Sequence, residues 1–157
     1  MTGAAPLAPV VGFQGKLYYN SATYASPTWV LIPNVGDIKM TDEADEGELP
    51  LRAGGGFMLY VSGLRKIGWE WSSMHDNADT QIAAIGTAYA ARSIMEFLIL
   101  DGSSTNTGSA GFRVSCMITK FPRQEELSKP MMRDIGIKPT YAISSGTIVV
   151  PSPYTAT

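Results

Sequence analysis

The sequence predicts a mainly β protein, a sandwich or rolled sheet with one flanking α-helix, and three observations carry that prediction. Short runs of β-rich residues, apolar at every second place, recur along the chain between Gly, Pro, Asn or Ser. A single segment carries its apolar residues at helical spacing instead. Sixteen glycines and ten prolines among 157 residues tilt an otherwise ordinary composition toward turns and strands.

Taken in order, strands are predicted at residues 15–19, 28–32, 36–40, 48–52 and 57–61. Residues 66–72, KIGWEWS, form the clearest one, with Ile67, Trp69 and Trp71 on one face and Gly68, Glu70 and Ser72 on the other. That alternation assigns Trp69 and Trp71 to the core or to a subunit interface. Further strands are predicted at 93–100, 111–121 and 131–141, with a short one at 146–150.

The helix is expected over 76–91. Asp76 is positioned to cap its first turn, Asp79 sits where the helix dipole favours an acid, and Ala78, Ile82, Ile85 and Tyr89 make one apolar stripe. Gly86 weakens that helix by about 1 kcal/mol relative to Ala. The loop 101–111, DGSSTNTGSAG, has no apolar residue larger than Ala, so it orders only if something packs on it. The tail PSPYTAT is expected to run extended and outside the sheet, because Pro151 and Pro153 break a ladder. The organisation predicted is one domain over 1–142, with an extended N-terminal segment, and a C-terminal extension over 143–157.

Only 17% of residues are charged, which suggests a surface covered by other copies. A net charge of -2 does not indicate a basic nucleic-acid-binding surface. The first residues, interrupted by Pro6 and Pro9, do not resemble a secretion signal, and no apolar run approaches the roughly 20 residues a membrane helix requires. A lone cysteine excludes an intrachain disulfide and fits folding in a reducing cytoplasm.

Catalytic and metal chemistry find no foothold. His75 is the only histidine and has no Cys or second His beside it in sequence, too few ligands for zinc. Cys116 shares the alternation of Phe112, Val114 and Ile118 and is read as a core residue. Placing Asp42 first in a calcium loop sets Gly47 correctly at the sixth position but puts Ala44 and Ala53 where ligands belong. AGGGF at 53–57 lacks the Lys-Ser/Thr of a phosphate loop and reads as a hairpin tip. No G-x-S-x-G occurs, and the adjacent Glu125 and Glu126 point apart. The chain is therefore expected to be no enzyme and to need no cofactor or metal.

One feature resists a bland reading. Asp37, Asp42, Glu43, Asp45, Glu46 and Glu48, six of fourteen acids, fall within residues 37–48, with Lys39 alone among them and Arg52 following. The segment is expected to be an acidic loop with Arg52 at its base. Arg113, Lys120, Arg123, Lys129, Arg133 and Lys138, against three acids, leave residues 113–138 at +3, complementary to -5 over 37–48.

From Val35 to Tyr141 the order of motifs resembles the tail tube (major tail) protein of long, non-contractile-tailed bacteriophages. An acidic segment ending in arginine, DIKMTDEADEGELPLR, is followed by a short glycine turn, a Gly-Leu-Arg/Lys turn, GLRKIG, and the aromatic-acidic strand GWEWSS. An Asp-started helix, LILDGS, a Thr/Gly/Ser loop and GFRVSCMITKFPRQEELSKP complete the series. The resemblance implies hexameric rings whose inner strands join into a continuous β-barrel, stacked into a hollow tube that delivers the genome. It implies self-association, contact with terminator, tape measure and distal tail proteins, transient passage of DNA without specific binding, and a place in the virion tail after assembly in the host bacterial cytoplasm, with no membrane. It also implies that the acidic segment either bridges rings or lines the channel, and the basic segment 113–138 favours bridging. A type VI secretion-like tube protein and a capsid decoration protein are the alternative readings.

Overall fold

A computed structural model describes residues 12–157; the expected N-terminal arm over 1–12 falls almost wholly outside them. The described chain forms β1 (Lys16–Asn20), β2 (Trp29–Leu31), β3 (Val35–Leu49), β4 (Leu59–Met74), α1 (Thr80–Ala91), β5 (Met95–Leu100) and β6 (Ala110–Lys120). It continues through β7 (Arg123–Gln124), β8 (Met132–Pro139), β9 (Ala142–Ser144), β10 (Thr147–Val149) and β11 (Ser152–Thr155). One curled sheet runs in the order β2-β1-β5-β6-β8-β4-β3, with β7 on β8 and β11 on β6, while β9 and β10 pair separately. The mainly β architecture with one principal helix is as the sequence predicts.

The core lies on the face of the sheet that α1 covers. Trp69, Trp71, Phe97, Val114, Cys116, Ile135 and Ile137 project from alternate positions of four neighbouring strands and meet Ile82 and Ile85 of the helix. Trp71 stands edge-on to Phe97, their ring centres 5.8 Å apart. Cys116 is fully enclosed there, and burial pushes its thiol pKa far up, so it is inert. A smaller cluster of Tyr18, Leu98 and Leu100 occupies the opposite face.

The helix starts later than its pattern predicts. Asp79, not Asp76, is its N-cap: Oδ1 accepts from the backbone N–H of Gln81 at 3.0 Å and of Ile82 at 3.1 Å. Asp76 instead accepts from the N–H of Ala78 at 2.9 Å, a local turn that competes with helix. Ala78 accordingly lies outside the helix and outside the buried stripe. Tyr89 is half-exposed but stacks obliquely on Phe121, with ring centres 5.8 Å apart. Gly86 faces the same ring, and a Cβ there would stand 3.2 Å from it, so the helix-weakening glycine makes room for an aromatic contact.

Three further expectations are corrected. The segments 36–40 and 48–52 are not two strands flanking a loop, since residues 35–49 form one strand. Residues 57–61 and 66–72 likewise fuse into β4, with GLRKIG inside it rather than turning. Arg52–Gly54 and the left-handed Gly55 and Gly56 make the hairpin tip. The tail does join the sheet: Ser152–Thr155 pairs with residues 110–113 of β6, Pro153 opposite Phe112. Proline is tolerated because β11 is an edge strand and one side of it needs no donor. Its continuation, Ala156, is buried and exchanges hydrogen bonds with Gly108 and Ser109, which orders the polar loop.

Candidate assembly interface

β3 and β4 pair over nearly their whole length, but among the described residues only 69–74 of β4 have a second neighbour, in β8. Beyond Gly68 the two strands leave the body as a two-stranded ribbon, and residues 59–66 of β4 are all exposed. The ladder is interrupted between Ala44 and Glu46, where Asp45 bulges opposite Gly63; a Cβ on Gly63 would lie 2.9 Å from the Asp45 carbonyl oxygen. Glycine is what lets the two backbones approach so closely there.

Two exposed cross-strand ion pairs link the acidic stretch to β4. Arg65 forks onto Asp42, Nε to Oδ1 at 2.6 Å and Nη2 to Oδ2. Lys66 Nζ reaches Asp45 Oδ1 at 2.8 Å on the other face. The Arg65 hydrogen bonds hold the Asp42 carboxyl below its usual range, and Asp45, with Glu43 adding, holds the Lys66 ammonium above its own. Asp37, Glu46 and Glu48 have no ion-pair partner among the described residues. Because neighbouring positions of a strand face opposite ways, the six carboxylates divide between both faces of β3. They form neither a loop nor a one-sided patch. Arg52 stands at the ribbon's tip, not at the base of the acidic segment, because the turn lies at the far end of the strand.

The six basic residues also separate. Arg113 is committed inside the subunit: Nε donates to Glu96 Oε1 at 2.7 Å, Nη2 to the Tyr24 carbonyl, and the guanidinium lies 3.9 Å from the Tyr24 ring centre. Arg133 donates to His75 Nδ1 at 3.3 Å and lies over Phe121, which gives the lone histidine a structural partner. Lys120 meets Glu70 across the sheet at 3.3 Å. Lys138 lines the crease between β4 and β8 beside Arg65 and Lys66. Arg123 and Lys129 pair with Glu125 and Glu126 in an exposed loop and remain free to exchange partners.

Sequence reasoning missed the apolar strip at the ribbon's end. Leu51, Phe57, Met58, Leu59, Tyr60, Val61 and Leu64 are large, apolar and exposed there. Their β-rich pattern reads as a core strand, and nothing in the pattern marks that no layer covers it. Among the described residues no helix is long and apolar enough to cross a membrane.

At the sequence level no family model and no curated protein matches the chain. Solved structures do. A subunit in the tail of an empty gene transfer agent particle, refined with C6 symmetry, superimposes with a TM-score of 0.67 at 15% identity, covering 85% of this chain and 96% of that one. A subunit of the SPP1 tail tube gives 0.70 at 14% identity, covering 94% and 80%. The cap that terminates the anti-feeding prophage tube gives 0.62 at 12%, covering 99% and 100%. The likeness is one of fold. This chain shares it along nearly its whole length, with little identity in sequence.

Proposed function

We propose that this chain is a structural subunit of a tail tube, closing into rings that stack into a hollow conduit for DNA. The observation that carries the reading is β3 and its ribbon. Among the described residues its outer edge has no further strand beside it along fifteen residues, and the ribbon ends in exposed apolar residues. A long open edge invites strand addition, and a two-stranded ribbon in water is marginal alone. Closing the sheet through copies of itself removes the edge, as barrels do. Six copies per ring is the count that the C6 symmetry of the gene transfer agent tail supports.

Within this reading the ribbon bridges successive rings, and carboxylates that face the lumen repel the phosphate backbone so that DNA slides without sticking. Terminator, tape measure and distal tail proteins are the further partners, and the virion tail is the location. The N-terminal segment 1–12 contributes contacts to neighbouring copies. The anti-feeding prophage likeness favours a second reading, a tube or tube-capping part of a secretion-type particle. Electron micrographs of the concentrated protein test the first reading. Hollow tubes with six-fold end views are expected, and dispersed monomers at every concentration would refute it.

A further inference from the structure

We infer that the ribbon tip of one subunit docks on the loop between β7 and β8 of a copy in the next ring, an inference that rests on the tube reading above. Register places the two surfaces at opposite ends of the molecule. β4 begins at Leu59 in the ribbon and ends at Met74, which pairs with Met132; Met132 in turn pairs with Gln124 of β7. The loop 125–131 therefore lies at the Met74 end, sixteen residues of strand from the tip, or about 50 Å of contour at roughly 3.3 Å per residue. Two different mating surfaces at opposite ends repeat from copy to copy without closing, which is what a stack requires.

The chemistry of the two ends matches. Phe57 and Leu64 are nearly four-fifths exposed at the tip, and Leu127 and Met131 project from the loop, Leu127 without any cover at all. Around these apolar centres the charges are opposite in sign. Residues 37–66 hold six acids and four bases, a balance of -2, and Glu46 and Glu48 beside the tip are unpaired among the described residues. Residues 120–133 hold four bases and two acids, a balance of +2. Arg123 and Lys129 flank Leu127 in exposed pairs that can exchange Glu125 and Glu126 for Glu46 and Glu48 of the arriving ribbon. An apolar centre ringed by exchangeable charges is the anatomy of a specific contact.

Charge exchange on the full chain tests this. Glu46→Lys with Glu48→Lys is expected to shorten tubes at least tenfold, as is Arg123→Glu with Lys129→Glu, and all four changes together are expected to restore at least half the original length. Leu127→Asp, on a side chain with no fold contact to lose, is expected to stop stacking while single rings persist. Unaltered chains that form no tubes refute the tube reading itself. Tubes from the unaltered chain, with no rescue in the combined variant and normal length in Leu127→Asp, overturn the docking surface alone.

Discussion

The two halves of β4 have the same backbone conformation and opposite fates. Residues 69–74 lie between β3 and β8 and bury both indoles, while residues 59–66 have only β3 beside them among the described residues and are all exposed. Tyr60 and Val61 are as strand-prone and apolar as anything in the core. What separates them from Trp69 is a second neighbouring strand and a helix overhead. One half of the strand is spent on the core, and the other is left open to solvent.

The sharpest way to break that comparison is to empty the folded half. Trp69→Ala removes a side chain 1% exposed and is expected to cost about 3–5 kcal/mol, read as a large fall in thermal midpoint of the subunit. Emptying the other half is expected to act on assembly instead. Phe57→Ser with Leu64→Ser should change subunit stability by no more than about 0.5 kcal/mol, the usual range for exposed positions, while tubes vanish from micrographs. A fall in midpoint like that of Trp69→Ala would show that the ribbon tip packs within its own subunit.

The acidic residues offer a finer cut. Asp42→Asn, Glu43→Gln, Asp45→Asn and Glu46→Gln together remove both cross-strand ion pairs of the ribbon. The thermal midpoint of the subunit is expected to stay almost unmoved, since exposed pairs contribute little, and tubes are expected to shorten, with raised salt reproducing the effect in the unaltered chain. Normal tubes that eject DNA slowly would move these acids from bridging to lining.

The smallest effect is in pH. Asp42 has a carboxyl held below its ordinary value of 3.8, so its pairing contributes fully above that pH and is lost as pH falls through the lower folded value. Lys66 is held above 10.5, so its pairing is complete below that pH and is lost as pH rises through the higher folded value. Ribbon pairing should therefore stay flat from about pH 4 to 10. A carboxyl carbon titration by NMR that places the Asp42 midpoint at or above 3.8 would deny the Arg65 fork.

Several of these features are legible in the order of residues alone. The alternation through Ile67, Trp69 and Trp71, the Ile82 and Ile85 stripe, and the register of Cys116 follow from periods of 2 and 3.6, which local sequence carries. The unbroken β3 is not legible in this way. Its acids disfavour strand, and the residues that overrule them, Arg65 and Lys66, stand 23 and 21 positions from their partners. The choice between Asp76 and Asp79 as cap is equally non-local: both suit the position, and Asn34, bonded to Asp79 Oδ2 at 3.4 Å, comes from another element. Pro153 misleads because a proline forbids a central strand and permits an edge one. The apolar tip is legible as strand and illegible as exposed, since periodicity says which side chains share a face and nothing about what lies over it.

Cys116 bears on how such a particle would age. It is the chain's single sulfhydryl, sealed under two indoles and a helix, with ionisation suppressed by its surroundings. Oxidants attack the thiolate, so peroxide or air outside the host finds nothing on the folded subunit to convert into a sulfenic acid or an unwanted bridge between copies. Weathering of a tube made from this chain would begin at methionines outside the docking surfaces, Met117 on β6 among them. The same silence makes a single cysteine introduced at the surface the one reactive thiol of the folded chain.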